Sequence, residues 1–243
     1  MSGQDMGRRV AVTGAASGIG AAAAGLLASR GWRVACLDRD LDGARRSAGD
    51  QGLAVPVDVA DEGQVVKAFA QVQERFGGLD ALVTAAGVIE TVPFLETTPE
   101  QFRRLFDINV IGSFLCVREG ARAMQAGARV CMLASISSYT GGGYVATGAY
   151  ATSKGAVLTM MKAFARALGE RGIAVNAVAP GFIDTPFVAS AMGDPVRRKQ
   201  VEAAVGKVGQ PGQIAEAIAW LVSPEAAFVH GETLIADGGI LMR

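Results

Sequence analysis

Tyr150 and Lys154 bracket the short run YATSK, and their types and spacing could move a proton. Residues four apart on a helix share a face, so a phenol and an ammonium placed this way would meet one site. A tyrosine ordinarily titrates near pH 10, and a neighbouring cation favours its phenolate, which would bring it toward use as an acid or base. Alone, such a pair is common and weak, and an ordinary surface helix explains it better. Its weight comes from Ser135, fifteen residues upstream at the end of the apolar run RVCMLAS. A second constellation is TGAASGIG, Thr13 to Gly20. Its glycines permit a tight turn and close backbone approach, and the amino end of a following helix offers free N–H groups to a pyrophosphate. Gly14, Gly18 and Gly20 form a variant of the GxGxxG spacing rather than the fingerprint itself. Asp38, eighteen residues beyond Gly20, could accept hydrogen bonds from the hydroxyls of an adenosine ribose. Asp58, in VDVAD, could reach an adenine edge or simply cap a helix.

These residues need elements to hold them. Apolar runs predict strands at Arg9 to Thr13, Arg33 to Asp38, Ala54 to Asp58, Ala81 to Thr84, Arg129 to Ala134, Ala174 to Val178 and Thr233 to Ala236. Amphipathic stretches predict helices at Gly18 to Ser29, Glu62 to Phe76, Pro99 to Met124, Ala149 to Arg171 and Gln213 to Ser223, with Gly77 and Gly172 as stops. The alternation is that of βαβ units, and the Val-rich strands suit burial on both faces. The expected fold is α/β: a Rossmann-type, doubly wound parallel sheet of about seven strands in a single domain over residues 1–243. Ligands of such folds sit beyond the carboxyl ends of the strands, where the candidate residues fall.

Composition narrows the possible partners. Half of the 243 residues are hydrophobic, and 23 Lys plus Arg balance 23 Asp plus Glu, so no global basic field would gather nucleic acid or an anionic membrane. The uncharged run between Arg9 and Arg30, behind a twin arginine, could suggest an export signal or an anchor. Its glycines and its scarcity of leucine argue instead for strand, turn and helix. Cys36, Cys116 and Cys131 form no CxxC pair, which suits buried reduced thiols and a cytoplasmic location. With His230 as the only histidine, no metal site is expected, and His230 reads as a loop or packing residue.

Together, TGAASGIG, Asp38, Asn109, Ser135 and YATSK resemble the short-chain dehydrogenase/reductase family over nearly the whole chain. The resemblance implies a nicotinamide-dependent oxidoreductase. In it Tyr150 exchanges the proton with the substrate oxygen, Lys154 holds the nicotinamide ribose and lowers the tyrosine pKa, and Ser135 hydrogen-bonds the substrate oxygen. Asn109, in INVIG, would support a water-linked relay to the lysine. Implied cofactor contacts are Gly14, Ser17, Gly18, Ile19 and Gly20 in the glycine loop, then Asp38, Asp58 and Val59. Ala85, Ala86 and Gly87 follow the fourth strand, Tyr150 and Lys154 join them, and PGFIDTP adds Pro180, Gly181, Ile183 and Thr185. The tail GETLIADGG is similar to the family's last strand and turn. Two features depart from the pattern. Thr84 stands where the family often has Asn, and a shifted contact to backbone groups is expected of it. The family's usual spacing to the tyrosine selects Ser137 as the serine, whereas alignment of the strand selects Ser135, the choice preferred here.

The implied activity is hydride transfer between NAD(H) and a secondary alcohol or ketone. Alternatives are a 3-oxoacyl-acyl-carrier-protein reductase, whose acidic carrier could meet Arg197 to Lys199, a non-catalytic dinucleotide-binding regulator, and a lyase of the halohydrin-dehalogenase kind. The glycine loop and Asp38 speak against the last. NAD is expected over NADP because a carboxylate at Asp38 repels a 2′-phosphate, and Ser17 stands where NADP-preferring relatives often carry a basic residue. Arg39 leaves some room for dual use. Glu90, Tyr144, Phe182, Phe187 and Met192 are expected to face a mostly apolar substrate pocket. Apolar residues on more than one face of the segment Ala149 to Leu168, including Val157, Leu158, Met160, Met161 and Phe164, predict a homo-oligomer, and the resemblance implies a homotetramer.

Overall fold

Strands β1 (Arg9–Thr13), β2 (Arg33–Asp38), β3 (Leu53–Pro56), β4 (Leu79–Thr84), β5 (Met124–Leu133), β6 (Ala174–Pro180) and β7 (Thr233–Ala236) form one parallel sheet in a computed structural model that describes residues 7–143, 145–192 and 195–242. The order is β3-β2-β1-β4-β5-β6-β7, a Rossmann-type doubly wound arrangement in a single domain. β1 pairs on one side with β2, Thr13 opposite Leu37, and on the other with β4, Thr13 opposite Thr84. The winding reverses between β1 and β4, so a crevice opens at the carboxyl ends of those two strands.

Period-two alternation assigns strand side chains to two cores. From β1, Val10 and Val12 pack with Ala23, Leu27, Ile214 and Ile218, beneath α1 (Gly18–Ser29) and α10 (Pro211–Leu221). Ala11 faces the other way, into the cluster of Phe69, Val72, Leu115 and Met161 from α3 (Glu62–Phe76), α5 (Ser113–Arg122) and α7 (Gly148–Gly169). Burial of those side chains is worth roughly 1.5–3 kcal/mol each for the larger aliphatic residues and fixes the layer order. The run from Arg8 to Arg30 is thus a central strand, a turn and a helix. Among the described residues no helix is long and apolar enough to cross a membrane.

Several boundaries differ from the sequence reading. β3 spans Leu53–Pro56 rather than Ala54 to Asp58, so Asp58 lies beyond the strand. The helix expected over Pro99 to Met124 is α4 (Pro99–Phe106), a π-helical stretch Asp107–Gly112, and α5 ending at Arg122. Met124 opens β5, opposite Leu79. Four helices were not anticipated: α2 (Leu41–Ala48), α6 (Ser137–Thr140), α8 (Pro186–Met192) and α9 (Pro195–Val205). α2 is short and mostly polar, yet its N-cap signal was present, since Asp40 accepts the Gly43 N–H. Pro186 and Pro195 each open a helix, the position where a missing N–H costs nothing. Gly77 is the left-handed C-cap of α3, with φ 75°. α7 stops at Gly169, and Gly172 turns the chain three residues later.

His230 accepts the Val175 N–H at Nδ1 and lies 2.9 Å from the Ala165 carbonyl at Nε2, tying the loop before β7 to α7 and β6. Cys36, Cys116 and Cys131 are buried free thiols, each pushed up to about 12, chiefly by burial.

Candidate active site

β1 ends at Thr13, and the chain must turn at once to start α1. Gly14 makes the turn with φ 67°, a conformation that other residues rarely adopt. A Cβ on Gly14 would stand 2.6 Å from the Ala86 nitrogen, and one on Gly20 would run into the Gly14 carbonyl oxygen. Both positions therefore require glycine on packing grounds. Ser17 is the extended N-cap of α1 and makes no side-chain capping bond, and the first turn carries no acidic residue. The helix end accordingly presents N–H groups and a positive dipole end to the crevice, a cradle that fits the pyrophosphate of a dinucleotide.

Asp38, at the end of β2, accepts the Ala16 N–H at 2.9 Å and the Asp40 N–H at 3.0 Å. Its carboxylate is thereby fixed beside the glycine loop with lone pairs to spare. Asp58 accepts the Ala60 N–H, while the cap of α3 is Asp61, so the capping role weighed for Asp58 belongs to its neighbour. From β4 onward, Thr84 gives a correction: its hydroxyl is buried without a hydrogen-bond partner among the described residues, not bonded to backbone. Thr13 serves that loop instead, accepting the Ala86 N–H at 3.3 Å.

On α7, Tyr150 and Lys154 stand one turn apart on the buried face, 7% and 4% exposed. Lys154 Nζ donates to the Leu133 carbonyl at 2.8 Å, at the end of β5, and lies 5.9 Å from the Tyr150 ring centre. Ser135, two residues past β5, lines the cavity with Tyr150 and accepts the Ser137 N–H at 3.1 Å. Both candidate serines, Ser135 and Ser137, line the cavity that Tyr150 lines. Burial pushes the phenol above its ordinary value, with Ser135 pulling the other way, and burial draws Lys154 down to about 8.

Asn109 is wholly buried in the π-helical stretch. Its Oδ1 accepts the Val88 N–H at 2.8 Å, and its Nδ2 donates to the Val88 carbonyl at 2.9 Å and to Ser153 Oγ at 3.0 Å. Ser153 in turn donates to the Tyr150 carbonyl. Asn109 thus pins the loop after β4 to the helix of Tyr150 and Lys154 from behind, instead of pointing into the cavity.

One cavity of about 580 Å³ joins these groups. Its lining includes Gly14, Ser17, Gly18, Ile19, Gly20, Asp38, Asp58, Val59, Ala85, Ala86 and Gly87 at one end, and Ser135, Tyr150, Lys154, Pro180, Gly181, Ile183 and Thr185 at the other. Gly181 lets the chain pass β7, since a Cβ there would stand 2.7 Å from the Asp237 Cα. Phe182 and Phe187 line the cavity as expected. Glu90 does not: its carboxylate turns back to the Thr91 and Val92 N–H groups. Tyr144 lies outside the described residues, as does the side chain of Met192, and of Arg197 to Lys199 only Lys199 has a described side chain, which is exposed. Sequence reasoning missed Ile89, Val145, Val188 and Ile240, which complete an apolar end. Ile240 arrives from the tail because Asp237 accepts the Gly239 and Leu241 N–H groups and folds it back.

The comparisons agree with this geometry. Residues 14–241 match the family model described as enoyl-(acyl carrier protein) reductase. The chain is 39% identical over 245 residues to cis-4-hydroxycyclohexanecarboxylate dehydrogenase of Sinomonas cyclohexanicum, covering 98% of each. It is 38% identical over 251 residues to 2-(R)-hydroxypropyl-CoM dehydrogenase of Xanthobacter autotrophicus, covering 96% of this chain and 98% of the relative. A dehydrogenase/reductase from Sinorhizobium meliloti 1021 superposes with a TM-score of 0.89 at 33% identity, over 97% of this chain and 96% of that one. The chain belongs to the short-chain dehydrogenase/reductase family of oxidoreductases.

Proposed function

We propose that this chain is an NAD-dependent dehydrogenase that interconverts a secondary alcohol and its ketone, with Tyr150 as the general acid/base. The observation that carries the reading is the convergence of Tyr150, Ser135 and Lys154 on one wall of the cavity that the glycine loop and Asp38 also line. Nicotinamide, when bound, supplies the hydride chemistry. The protein supplies placement and the proton. Tyr150 Oη takes the alcohol proton in oxidation and returns it in reduction. Ser135, on the same wall of the cavity, donates a second hydrogen bond to that substrate oxygen. Lys154, held by the Leu133 carbonyl, offers a positive charge that favours the phenolate once the proton has left. Asn109 is a positioning residue, acting through Val88 and Ser153.

NAD is the reading for the cofactor because the Asp38 carboxylate is fixed by two N–H donors where a 2′-phosphate would meet like charge. The two dehydrogenase relatives are named for compounds with a hydroxyl on a secondary carbon, and the apolar end formed by Ile89, Val145, Phe182, Phe187 and Val188 suits a hydrocarbon ring or chain. A homotetramer is supported by the exposed apolar strip of Ile111 and Phe114 beside Phe164, Phe114 and Phe164 stacking at 5.8 Å. Three buried free thiols support a cytoplasmic location. The test is NADH absorbance over a panel of cyclic alcohols, polyols, hydroxy acids and 3-oxoacyl thioesters, for the native protein and Tyr150→Phe. Turnover of an alcohol should fall roughly 10²- to 10⁴-fold in the variant, with NADH affinity within about twofold. A variant that keeps most of kcat refutes the role of Tyr150, and a thioester as best substrate favours the oxoacyl reductase alternative.

A further inference from the structure

The end of the sheet opposite the catalytic cavity holds a second cleft of about 580 Å³, where β1, β2 and β5 begin. Its walls carry four arginines, Arg8, Arg9, Arg33 and Arg129, with Trp32 and Phe76 between them. Two guanidiniums lie against rings: Arg8 is 5.7 Å from the Trp32 ring centre and Arg33 is 4.6 Å from that of Phe76. Arg9 is committed to Asp80 through two side-chain bonds of 2.8 Å. Arg33 and Arg129 each donate once to a carbonyl, of Arg75 and Ala226, and the Arg8 side chain makes no hydrogen bond among the described residues.

The charges do not cancel. Beside the four cations stand Asp80, taken by Arg9, and the exposed Glu225, whose field reaches Arg8 and Arg129. Two positive charges remain unmatched. Arg129 holds its charge against both burial and the like charge of Arg8, a conflict that an anion between them would relieve. Guanidinium forks with unused N–H donors match phosphate oxygens, and their stacking on rings keeps them in place for it. The cleft is larger than a phosphate ion needs, leaving room for an organic portion.

We propose that this cleft binds a doubly charged phosphate-type anion, free or carried on a small organic molecule, through Arg8, Arg33 and Arg129. The pairing of Arg9 with Asp80 serves as its rigid floor. This site is separate from the proposed dehydrogenase chemistry and stands without it.

Trp32 supplies the readout. Trp220, the other tryptophan, is 42% exposed on α10, so Trp220→Phe leaves Trp32 as the sole emitter. In that background, inorganic phosphate, pyrophosphate and a sugar bisphosphate are titrated at constant ionic strength. A saturable change in Trp32 emission is expected, with Kd at least tenfold weaker in both Arg8→Gln and Arg129→Gln. Saturation by the inorganic ions identifies a free anion as sufficient, and saturation by the bisphosphate alone identifies an organic carrier; either supports the site. Circular dichroism and thermal melting check the fold, and Arg8→Gln, at a side chain that makes a ring contact but no hydrogen bond, keeps the test valid if Arg129→Gln loosens the Ala226 turn. No saturable change with any of the three, or titrations equal in parent and Arg8→Gln, overturns the proposal; the second result would mean binding at the glycine loop instead.

Discussion

Replacing Lys154 with Met tests the energetics of α7 without needing a substrate. Lys154 is buried, donates to the Leu133 carbonyl at 2.8 Å, and titrates at about 8 instead of 10.5 because burial disfavours its charge. A lysine whose folded pKa lies below its unfolded value penalises folding at pH below 8, where both states are charged. The penalty is relieved as pH rises from 8 toward 10.5, because there the unfolded chain binds the extra proton. At about 1.36 kcal/mol per pH unit, the full penalty is about 3 kcal/mol, and about 2 kcal/mol of it is recovered between pH 7 and pH 9.5. Lys154→Met removes the penalty and also the charged hydrogen bond, worth about 1.5–3 kcal/mol, so the two proteins should be nearly equal in stability at pH 7. At pH 9.5 the native protein should lead by about 2 kcal/mol. Tyr150, held above its ordinary value, works in the opposite sense above pH 10: the unfolded chain loses its phenol proton first, and stability falls in both proteins. The assay is urea denaturation of cofactor-free protein at half-unit steps from pH 6.5 to 9.5. A native curve flat over that range, or a variant with the same slope, would refute the assignment of the slope to a desolvated Lys154.

Three further outcomes follow from the same geometry. Asp38→Ala should narrow the ratio of kcat/KM for NAD over NADP by at least about tenfold, since removing a desolvated like charge is worth several kcal/mol against phosphate; a native preference for NADP, or an unchanged ratio, removes Asp38 from the discriminating role. Ser135→Ala should cost kcat roughly 10²-fold, by analogy with deletion of one donor to a developing oxyanion, whereas Ser137→Ala, with its backbone N–H still bonded to Ser135, should cost only a few-fold; steady-state kinetics reversing that order would hand the role to Ser137. Light scattering at micromolar concentration should give about four times 25.0 kDa, and Phe114→Lys should shift the mass toward smaller species; a native monomer disposes of the homotetramer.

Local spacing determined much of this protein. Gly14, Gly18 and Gly20 after a Val-rich strand could be read because a tight turn and a close backbone approach each demand glycine. Tyr150 and Lys154 could be read because helical period puts residues four apart on one face. Strands buried on both faces leave continuous apolar runs, so β1 and β2 were legible residue by residue, and the half-buried edge strand β7 by its short apolar run. The tertiary structure alone decided what depends on distant partners. It folded the loop after β5 so that Ser135 accepts the Ser137 N–H and both line the cavity, because a loop's turn has no periodic signature. It moved Asn109 behind the cavity through bonds to Val88 and Ser153, 21 and 44 residues away, and turned Glu90 back on its own loop. It brought Ile240 from the chain's tail to the apolar end. It also set the burial of Tyr150: a sequence can place the phenol on a helix, but only packing fixes how far it is desolvated, and here burial pushes it above its ordinary value.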